Sequence, residues 1–108
     1  MAELNDKARS LIDGPNLAFL AEVMEDGSPH VSPVWIDLED GYLTFNTAIG
    51  RLKERNMRRD RRVALSIADK DDPYDKVDIR GRVVEIIHGE EADDQIDSLA
   101  KKYIGEDI

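Results

Sequence analysis

The sequence has 108 residues, no cysteine, one tryptophan and only 6% aromatic residues. The lack of cysteine excludes a disulfide framework, a thiolate metal site and a cysteine nucleophile. No apolar run approaches the roughly 20 residues that a membrane-spanning helix needs. The first six residues are acidic and contain no apolar core segment, unlike a secretory signal. We therefore expect a cytoplasmic protein that folds as a single domain over residues 1–108.

The formal net charge is −9, which argues against partners that carry negative charge over a wide surface. Nucleic acid and anionic membranes both require a broad positive field, so neither is expected to bind. The two histidines, His30 and His88, show no ligand spacing, and no metal site is predicted. Ser32 and Ser66 have no nearby histidine–acid pairing in sequence, so a hydrolase triad is not expected either.

Positive charge is concentrated in residues 51–62, where seven cations oppose two carboxylates for a net +5, while the other residues together carry −14. If this segment is helical, the i,i+4 pairs Arg51/Arg55, Arg55/Arg59 and Arg58/Arg62 repel, and only Glu54/Arg58 attracts. The repulsion favours a bound anion. A basic helix that simply faces solvent, or that faces an acidic second subunit, fits the same pattern.

A short polar turn, residues 46–50, precedes this basic segment and follows a predicted strand. The N-terminus of a helix presents unpaired N–H groups to an anion. Asn46 and Thr47 add side-chain donors, and Gly50 allows close approach to the backbone. Arg51 and Lys53 supply charge for phosphate. The glycine spacing matches neither a Walker loop nor a dinucleotide fingerprint, so the sequence predicts a phosphate site of another kind.

The remaining pattern predicts mainly strands with helices between them. Apolar periodicity predicts a helix over residues 5–13, ended by Gly14 and Pro15, and another over residues 90–104. Strands are predicted over residues 17–24, 30–38, 42–46, 62–69 and 76–88, the last one interrupted at Gly81. Turn signals at 26–27 and 39–41 join the first three strands in an antiparallel meander. Such an arrangement is typical of a small barrel.

Three motifs in this order carry a family resemblance: GSPHVSPVW at 27–35, NTAIGRLKERN at 46–56 and RRVALS at 61–66. Together they resemble the pyridoxamine 5'-phosphate oxidase-like superfamily, and within it the small F420-dependent oxidoreductases. The resemblance extends over residues 11–103. It implies a mainly β fold, an antiparallel split barrel of Greek-key type with flanking helices. It also implies a homodimer that binds a flavin or deazaflavin between its subunits.

The resemblance implies a role for each part of the site. The turn over residues 46–53 would hold the cofactor phosphate, with Arg51 and Lys53 in the charged roles. The loop with Tyr74 would reach the ring from the partner subunit, although Tyr74 also fits an exposed turn. The second strand would lie along the ring through its backbone groups, at Ser32, Pro33, Val34 and Trp35. Trp35 fits a core position equally well. No catalytic acid or base is implied, because the hydride chemistry belongs to the cofactor.

The function implied is that of an oxidoreductase that uses coenzyme F420 to transfer hydride to or from a small organic substrate. One residue separates Arg51 from Lys53, and the arginines at 55, 58 and 59 suit an anionic cofactor tail, so we expect F420 rather than FMN. An FMN-dependent oxidase or reductase and a non-enzymatic carrier of such a cofactor stay open. Family members also continue into another strand after the final helix, which we expect this chain to lack.

Overall fold

Three helices and six strands form the part of the chain that the computed structural model describes, residues 5–46, 52–87 and 90–104. In chain order they are α1 (Asp6–Asp13), β1 (Ala18–Val23), β2 (Pro29–Val34), β3 (Ile36–Glu39), β4 (Tyr42–Phe45), α2 (Leu52–Arg59), β5 (Arg62–Ala68), β6 (Lys76–Arg82) and α3 (Glu90–Ile104).

The first helix begins and ends through local hydrogen bonds. The Asn5 side chain accepts from the Ala8 N–H at 2.8 Å, which caps the N-terminus of α1. At the other end the Gly14 N–H donates to the Ser10 carbonyl at 3.1 Å. The buried face of α1 is the one that the apolar periodicity predicted, with Leu11 and Ile12 in the core. The predicted helix is confirmed to within one residue.

Four antiparallel strands form the main sheet in the order β2-β1-β5-β6. Leu20 lies opposite Ser32 on one side and Leu65 on the other, so alternate residues of neighbouring strands share a face. The inner face carries much of the core, namely Ala18, Leu20, Val34, Leu65 and Ile67, with Val77 and Ile79 packed against them. The outer face leaves Phe19 and Val31 exposed.

The strand predicted over residues 30–38 is wrong as a single element. It divides at Trp35 into β2, which pairs with β1, and β3, which pairs only with β4 in a separate ribbon. The predicted meander is therefore two hairpins rather than one sheet. At this division the Ile36 N–H donates to the Tyr103 hydroxyl at 3.0 Å, so the chain between the two strands is hydrogen-bonded to α3.

The last predicted strand is shorter than expected. The last paired residues of β5 and β6 are Arg62 and Arg82, because β5 itself begins at Arg62. One further bond joins the Val83 N–H to the Arg61 carbonyl at 2.8 Å. Beyond it the apolar residues Val84 and Ile87 are exposed. The predicted end of the strand at His88 lies outside the described residues.

Helices α1 and α2 cover the inner face of the main sheet, with Ile12 and Met57 buried in the shared core. Ile36 of the β3–β4 ribbon joins the same core. The protein is thus mainly β with flanking helices, as predicted. Its two antiparallel sheets do not close on each other within the described residues, an arrangement consistent with a split barrel. None of the described helices combines the length and the apolar character that crossing a bilayer requires.

Candidate functional site

The structure brings together two of the predicted site residues at one end of the β3–β4 ribbon. Ile36 pairs with Phe45. Trp35 immediately precedes Ile36, and Asn46 immediately follows Phe45, so both leave the ribbon at the same end. The predicted ring segment and the start of the predicted phosphate turn are therefore neighbours in space.

The predicted ring segment, residues 32–35, lies along the last half of β2 and its junction with β3. Val34 is buried in the core, and Pro33 is exposed on the opposite face. The Ser32 hydroxyl is buried and meets no hydrogen-bond partner in the described part of the chain. Because β2 ends the main sheet, one edge of its backbone pairs with no strand among the described residues. That edge could offer N–H and C=O groups to a planar heteroaromatic molecule.

Asn46 is held by α3. Its side-chain amide donates to the Ala92 carbonyl at 2.9 Å and to the Gln95 side-chain oxygen at 3.1 Å. An amide NH₂ has two donors, and both are engaged in these contacts. To donate to a phosphate, Asn46 would have to exchange one of these partners. Thr47, Gly50 and Arg51 of the predicted phosphate turn lie outside the described residues.

Helix α2 carries the remaining part of the predicted phosphate site. Met57 anchors it in the core. Glu54 accepts from Arg58 Nε at 2.8 Å, so the favourable i,i+4 pair predicted from the sequence is confirmed. The helix ends at Arg59, and the predicted Arg58/Arg62 repulsion does not arise.

Arg62 instead begins β5 and binds Asp60. Its backbone N–H and its guanidinium both donate to the Asp60 carboxylate, with a contact of 2.7 Å from Arg62 Nη2. These hydrogen bonds lower the pKa of Asp60 to about 2, with the side-chain bond contributing most. The same contact turns the chain from α2 into β5. This part of the basic segment is therefore neutralised within the protein.

Two cations of α2 have no such partner. Lys53 is half-buried and Arg55 is exposed. Neither makes a hydrogen bond or an ion pair with the described residues, in contrast to Arg59, which donates to the Val23 carbonyl at 2.8 Å. Lys53 and Arg55 lie in the N-terminal half of the helix, where the macrodipole also favours an anion. Unpaired positive charge in a strongly acidic protein makes these two residues the best candidates for anion binding.

A shallow cleft of about 180 Å³ lies between α2 and the end of β1. It is lined by Met24, Glu25, Leu52, Arg55, Asn56 and Arg59. Two guanidinium groups and one amide oppose a single carboxylate there. The cleft therefore suits a carboxylate or phosphate group at the end of a flexible chain.

Tyr74 lies on the loop between β5 and β6, and 93% of its surface is exposed. The loop is formed by short-range bonds, among them the Tyr74 N–H donating to the Asp72 carboxylate at 3.1 Å. Within its own chain Tyr74 is thus an exposed turn residue. Its predicted role in a second subunit stays a prediction.

A buried polar cluster at the far end of β1 was missed from the sequence. The Glu22 side chain is fully buried, and its Oε1 accepts from His30 Nδ1 at 2.6 Å. Asn56 of α2 donates to the same oxygen at 3.4 Å, and the Asn56 oxygen accepts from Arg59 at 2.9 Å. The signal was available, because Glu22 shares the inward parity of Ala18 and Leu20. The cluster joins β1 and β2 to α2.

The contacts that the last turn of α3 makes were also missed from the sequence. The Tyr103 ring stacks on the Trp35 indole with centroids 5.3 Å apart and planes inclined by 8°. Lys102 Nζ lies 5.2 Å from the centre of the Tyr103 ring. Burial raises the pKa of Tyr103 and lowers the pKa of Lys102. Trp35 is therefore neither a free ring wall nor a simple core residue, because α3 covers one of its faces.

Comparison with known proteins gives a family match over nearly the whole chain. Residues 4–107 match the family model described as pyridoxamine 5'-phosphate oxidase. No curated protein matches the chain.

Several solved structures are similar. A structure titled F420 Reductase is 31% identical, with a TM-score of 0.82, and the match covers 93% of this chain and 79% of that one. A conserved hypothetical protein from Mycobacterium tuberculosis is 27% identical, with a TM-score of 0.79, covering 100% and 69%. A heme binding protein from Mycobacterium smegmatis, at 22% identity, a TM-score of 0.60 and coverage of 95% and 48%, shares the fold.

Proposed function

Because the chain belongs to the pyridoxamine 5'-phosphate oxidase family, we propose that it is an oxidoreductase that binds coenzyme F420 and acts on a small organic substrate. The family match supports a flavin-type cofactor. The 31% identity to the F420 Reductase structure supports the deazaflavin. The observation that carries the proposal is the pair of unpaired cations, Lys53 and Arg55, in the N-terminal half of α2.

The residues of the chain fit such a cofactor. Lys53 binds its phosphate together with the preceding turn, in which Arg51, Thr47 and Gly50 are the proposed contacts. Asn46 stands at the start of that turn and beside Trp35, so phosphate and ring subsites are contiguous. The edge of β2 that pairs with no described strand, together with Trp35 after it, hydrogen-bonds the polar rim of the ring.

The cleft beside α2 supports F420 rather than FMN. FMN ends at its phosphate, whereas F420 carries an anionic tail beyond it. Arg55 and Arg59 line this cleft and provide cations for the tail carboxylates. Carboxylate–arginine contacts of this kind are charge-assisted and geometrically specific. An FMN enzyme would have no use for this second group of cations.

We also propose that the protein works as a homodimer. Phe19 is 49% exposed and Val31 is 61% exposed, and both lie on the outer face of the main sheet. Pro33, which lies opposite Phe19, extends the same apolar surface. A second copy packed on this face would cover it and would bring a second Tyr74 loop to the site.

When bound, the cofactor supplies the hydride chemistry. The chain binds the phosphate through Lys53 and orients the ring along β2. Proximity and orientation of this kind contribute substantially to catalysis without a protein acid or base. A non-enzymatic carrier would bind in the same way but would show no turnover.

Fluorescence titration of the purified protein with coenzyme F420 and with FMN tests the proposal. We expect F420 to bind at micromolar concentration or below and FMN to bind at least tenfold more weakly. The reverse order would assign the protein to FMN chemistry. Binding of F420 without turnover across a panel of conjugated carbonyl substrates would support the carrier. If neither cofactor binds, the proposal is wrong.

A further inference from the structure

The last turn of α3 hydrogen-bonds the backbone of Ile36, the residue that follows Trp35. The Tyr103 hydroxyl accepts from the Ile36 N–H at 3.0 Å and donates to the Asn16 carbonyl at 2.7 Å. Lys102 Nζ donates to the Ile36 carbonyl at 2.7 Å and also to the Ile12 carbonyl. Both polar groups of the Ile36 backbone are thus held by α3. The residue before it, Trp35, has little freedom to turn.

The Trp35 side chain is held as well. Its indole lies almost parallel to the Tyr103 ring, in the stacked geometry that aromatic pairs adopt. The stack covers one face of the indole, while Trp35 as a whole is only half-buried. The rest of its aromatic surface lies where β2 ends, next to the backbone edge proposed for the ring.

Burial of Lys102 at this point is costly, and apolar packing does not require it. Only 14% of the Lys102 side chain is exposed, and its nearest carboxylate, on Asp37, is 3.7 Å away. Leu99 and Ala100, one turn earlier, are already buried and provide apolar contact for α3. A lysine that loses its hydration in order to bind two carbonyls fixes a backbone geometry in a way that an apolar residue would not.

We propose that Tyr103 and Lys102 are positioning residues for the planar ring of the cofactor. They hold Trp35 in one orientation, so that its uncovered surface forms a rigid wall of the ring subsite. The inference rests on the proposed function, and it adds to that function two residues that act through Trp35. Rigid placement lowers the entropy that the site loses when a ring binds.

The chain has a single tryptophan, so intrinsic fluorescence reports on Trp35 alone. Tyr103→Leu removes both the stack and the hydroxyl, whereas Tyr103→Phe keeps the stack. Tyr42→Leu is the matched control, because Tyr42 is exposed and lies at the other end of the ribbon. In the ligand-free protein we expect Tyr103→Leu to shift Trp35 emission to the red and to lower its anisotropy. Tyr103→Phe should retain the wild-type anisotropy, and the control should change neither property.

The ring subsite is then titrated with riboflavin, which has the ring but no phosphate, and the anion site with pyrophosphate. We expect Tyr103→Leu to weaken riboflavin binding about fivefold, because a mobile Trp35 would have to be ordered when the ring binds, and to leave pyrophosphate binding unchanged. Circular dichroism confirms that each variant folds. If Tyr103→Leu does not fold, Lys102→Met, which removes the contact with the Ile36 carbonyl, provides the test, with the same loss of anisotropy and of riboflavin affinity expected.

The possible failures are distinguishable. Unchanged emission and anisotropy in Tyr103→Leu would overturn the positioning of Trp35. Changed emission with wild-type riboflavin affinity would overturn its role at the ring. If the wild-type protein binds neither riboflavin nor either cofactor, the proposed function fails and the ring role fails with it. The fluorescence of the ligand-free variants would then show whether Tyr103 still orients Trp35.

Discussion

A buried carboxylate in a small core needs hydrogen-bond donors on neighbouring side chains to offset its lost hydration. Glu22 obtains it from His30 on the neighbouring strand and from Asn56 on α2. The sequence could show that Glu22 points inward, because it shares the parity of Leu20. It could not show the partner, since His30 becomes a neighbour only through the β1–β2 register. His30, which looked isolated in the sequence, thus donates a hydrogen bond to the buried Glu22 carboxylate.

We predict that His30→Ala lowers the free energy of unfolding by about 1–3 kcal/mol, the usual cost of leaving a buried polar group without a partner. Urea denaturation measures the change. Glu39→Ala, which removes an exposed carboxylate from β3, should stay within about 0.5 kcal/mol of the wild type.

A double variant, Glu22→Leu with His30→Leu, sharpens the test. Replacing the buried carboxylate together with its closest partner removes the unpaired charge but takes an acceptor from Asn56, so this variant should recover part of the lost stability. If His30→Ala unfolds at the wild-type urea concentration, the contact contributes nothing. If the double variant is less stable than His30→Ala, the loss comes from packing rather than from the unpaired carboxylate.

Lys53 provides the corresponding test of binding. Lys53→Ala removes one charge-assisted contact worth about 1.5–3 kcal/mol, so we expect the dissociation constant of the cofactor to rise roughly ten- to hundredfold. Combined with Arg51→Ala, the loss should increase further. Lys7→Ala is the control, because Lys7 is an exposed lysine of α1 that pairs with Asp75. Equal cofactor affinity in Lys53→Ala and in the control would remove Lys53 from the phosphate site.

Tyr103 should give a pH dependence of known sign. Burial raises the pKa of Tyr103 above its ordinary value of 10.0. A group whose pKa is raised by folding contributes stability that is complete below the unfolded pKa and is lost as the pH rises through the folded pKa. The stability difference between the wild type and Tyr103→Phe should therefore decline above pH 10. Absorbance of the phenolate, taken as the difference between the two proteins, should show a midpoint above 10.0.

For Lys102, the dependence of stability on pH has the opposite sign over a similar pH range. Burial lowers its pKa below 10.5, so its contribution is complete above pH 10.5 and is lost as the pH falls through the folded pKa. The comparison with Tyr103→Phe cancels this effect, because Lys102 is present in both proteins. A difference that does not change between pH 9 and pH 12 would contradict the burial of the phenol.

At the scale of elements, periodicity predicted α1 and α3 closely but misplaced the strand boundaries of the fold. Val34, Ile36 and Leu38 keep one parity through the junction, so the apolar pattern continues although the pairing partner changes at Trp35. The change is caused by α3, which binds Ile36 from 66 and 67 residues away in sequence. For β6 the apolar run 83–87 outlasts the strand because β5 offers no further residues for pairing.

The candidate site likewise divides into features that local sequence predicts and features that depend on distant contacts. Lys53 and the ring segment could be proposed from motifs, because they are local in sequence. The contacts of Trp35 with Tyr103 and of Asn46 with Gln95 could not, since they depend on where α3 docks. Helix α3 thus touches both sides of the predicted site. Its residues 92 and 103 lie roughly 16 Å apart along the helix axis.

For the molecule as a whole, an acidic chain exposes an apolar patch on β1 and β2, whereas the same face of β6 carries charged residues. Solitary apolar residues are common on surfaces, but Phe19, Val31 and Pro33 lie side by side on two paired strands. Like charges repel two copies at long range, so association has to come from apolar burial at this face. A stable dimer usually buries about 800 Å² on each partner, so the interface would have to extend beyond these three residues.

We predict that Val31→Glu weakens or abolishes dimerisation, because it would place a carboxylate in the apolar patch that Val31 forms with Phe19 and Pro33. Sedimentation velocity over a range of protein concentrations measures the change. Val84→Glu is the matched control, since Val84 is 72% exposed but lies beyond the end of β6. The control should keep the wild-type sedimentation coefficient.

The dimer and the cofactor are linked in this prediction. If Tyr74 of a second copy completes the ring subsite, Val31→Glu should also weaken riboflavin binding, and high protein concentration should partly restore it by mass action. Tyr74→Ala should then weaken riboflavin binding without changing sedimentation, because Tyr74 is almost fully exposed in its own chain. A wild-type protein that is monomeric at every concentration would contradict the prediction. A dimer that persists in Val31→Glu would place the interface on another face of the molecule.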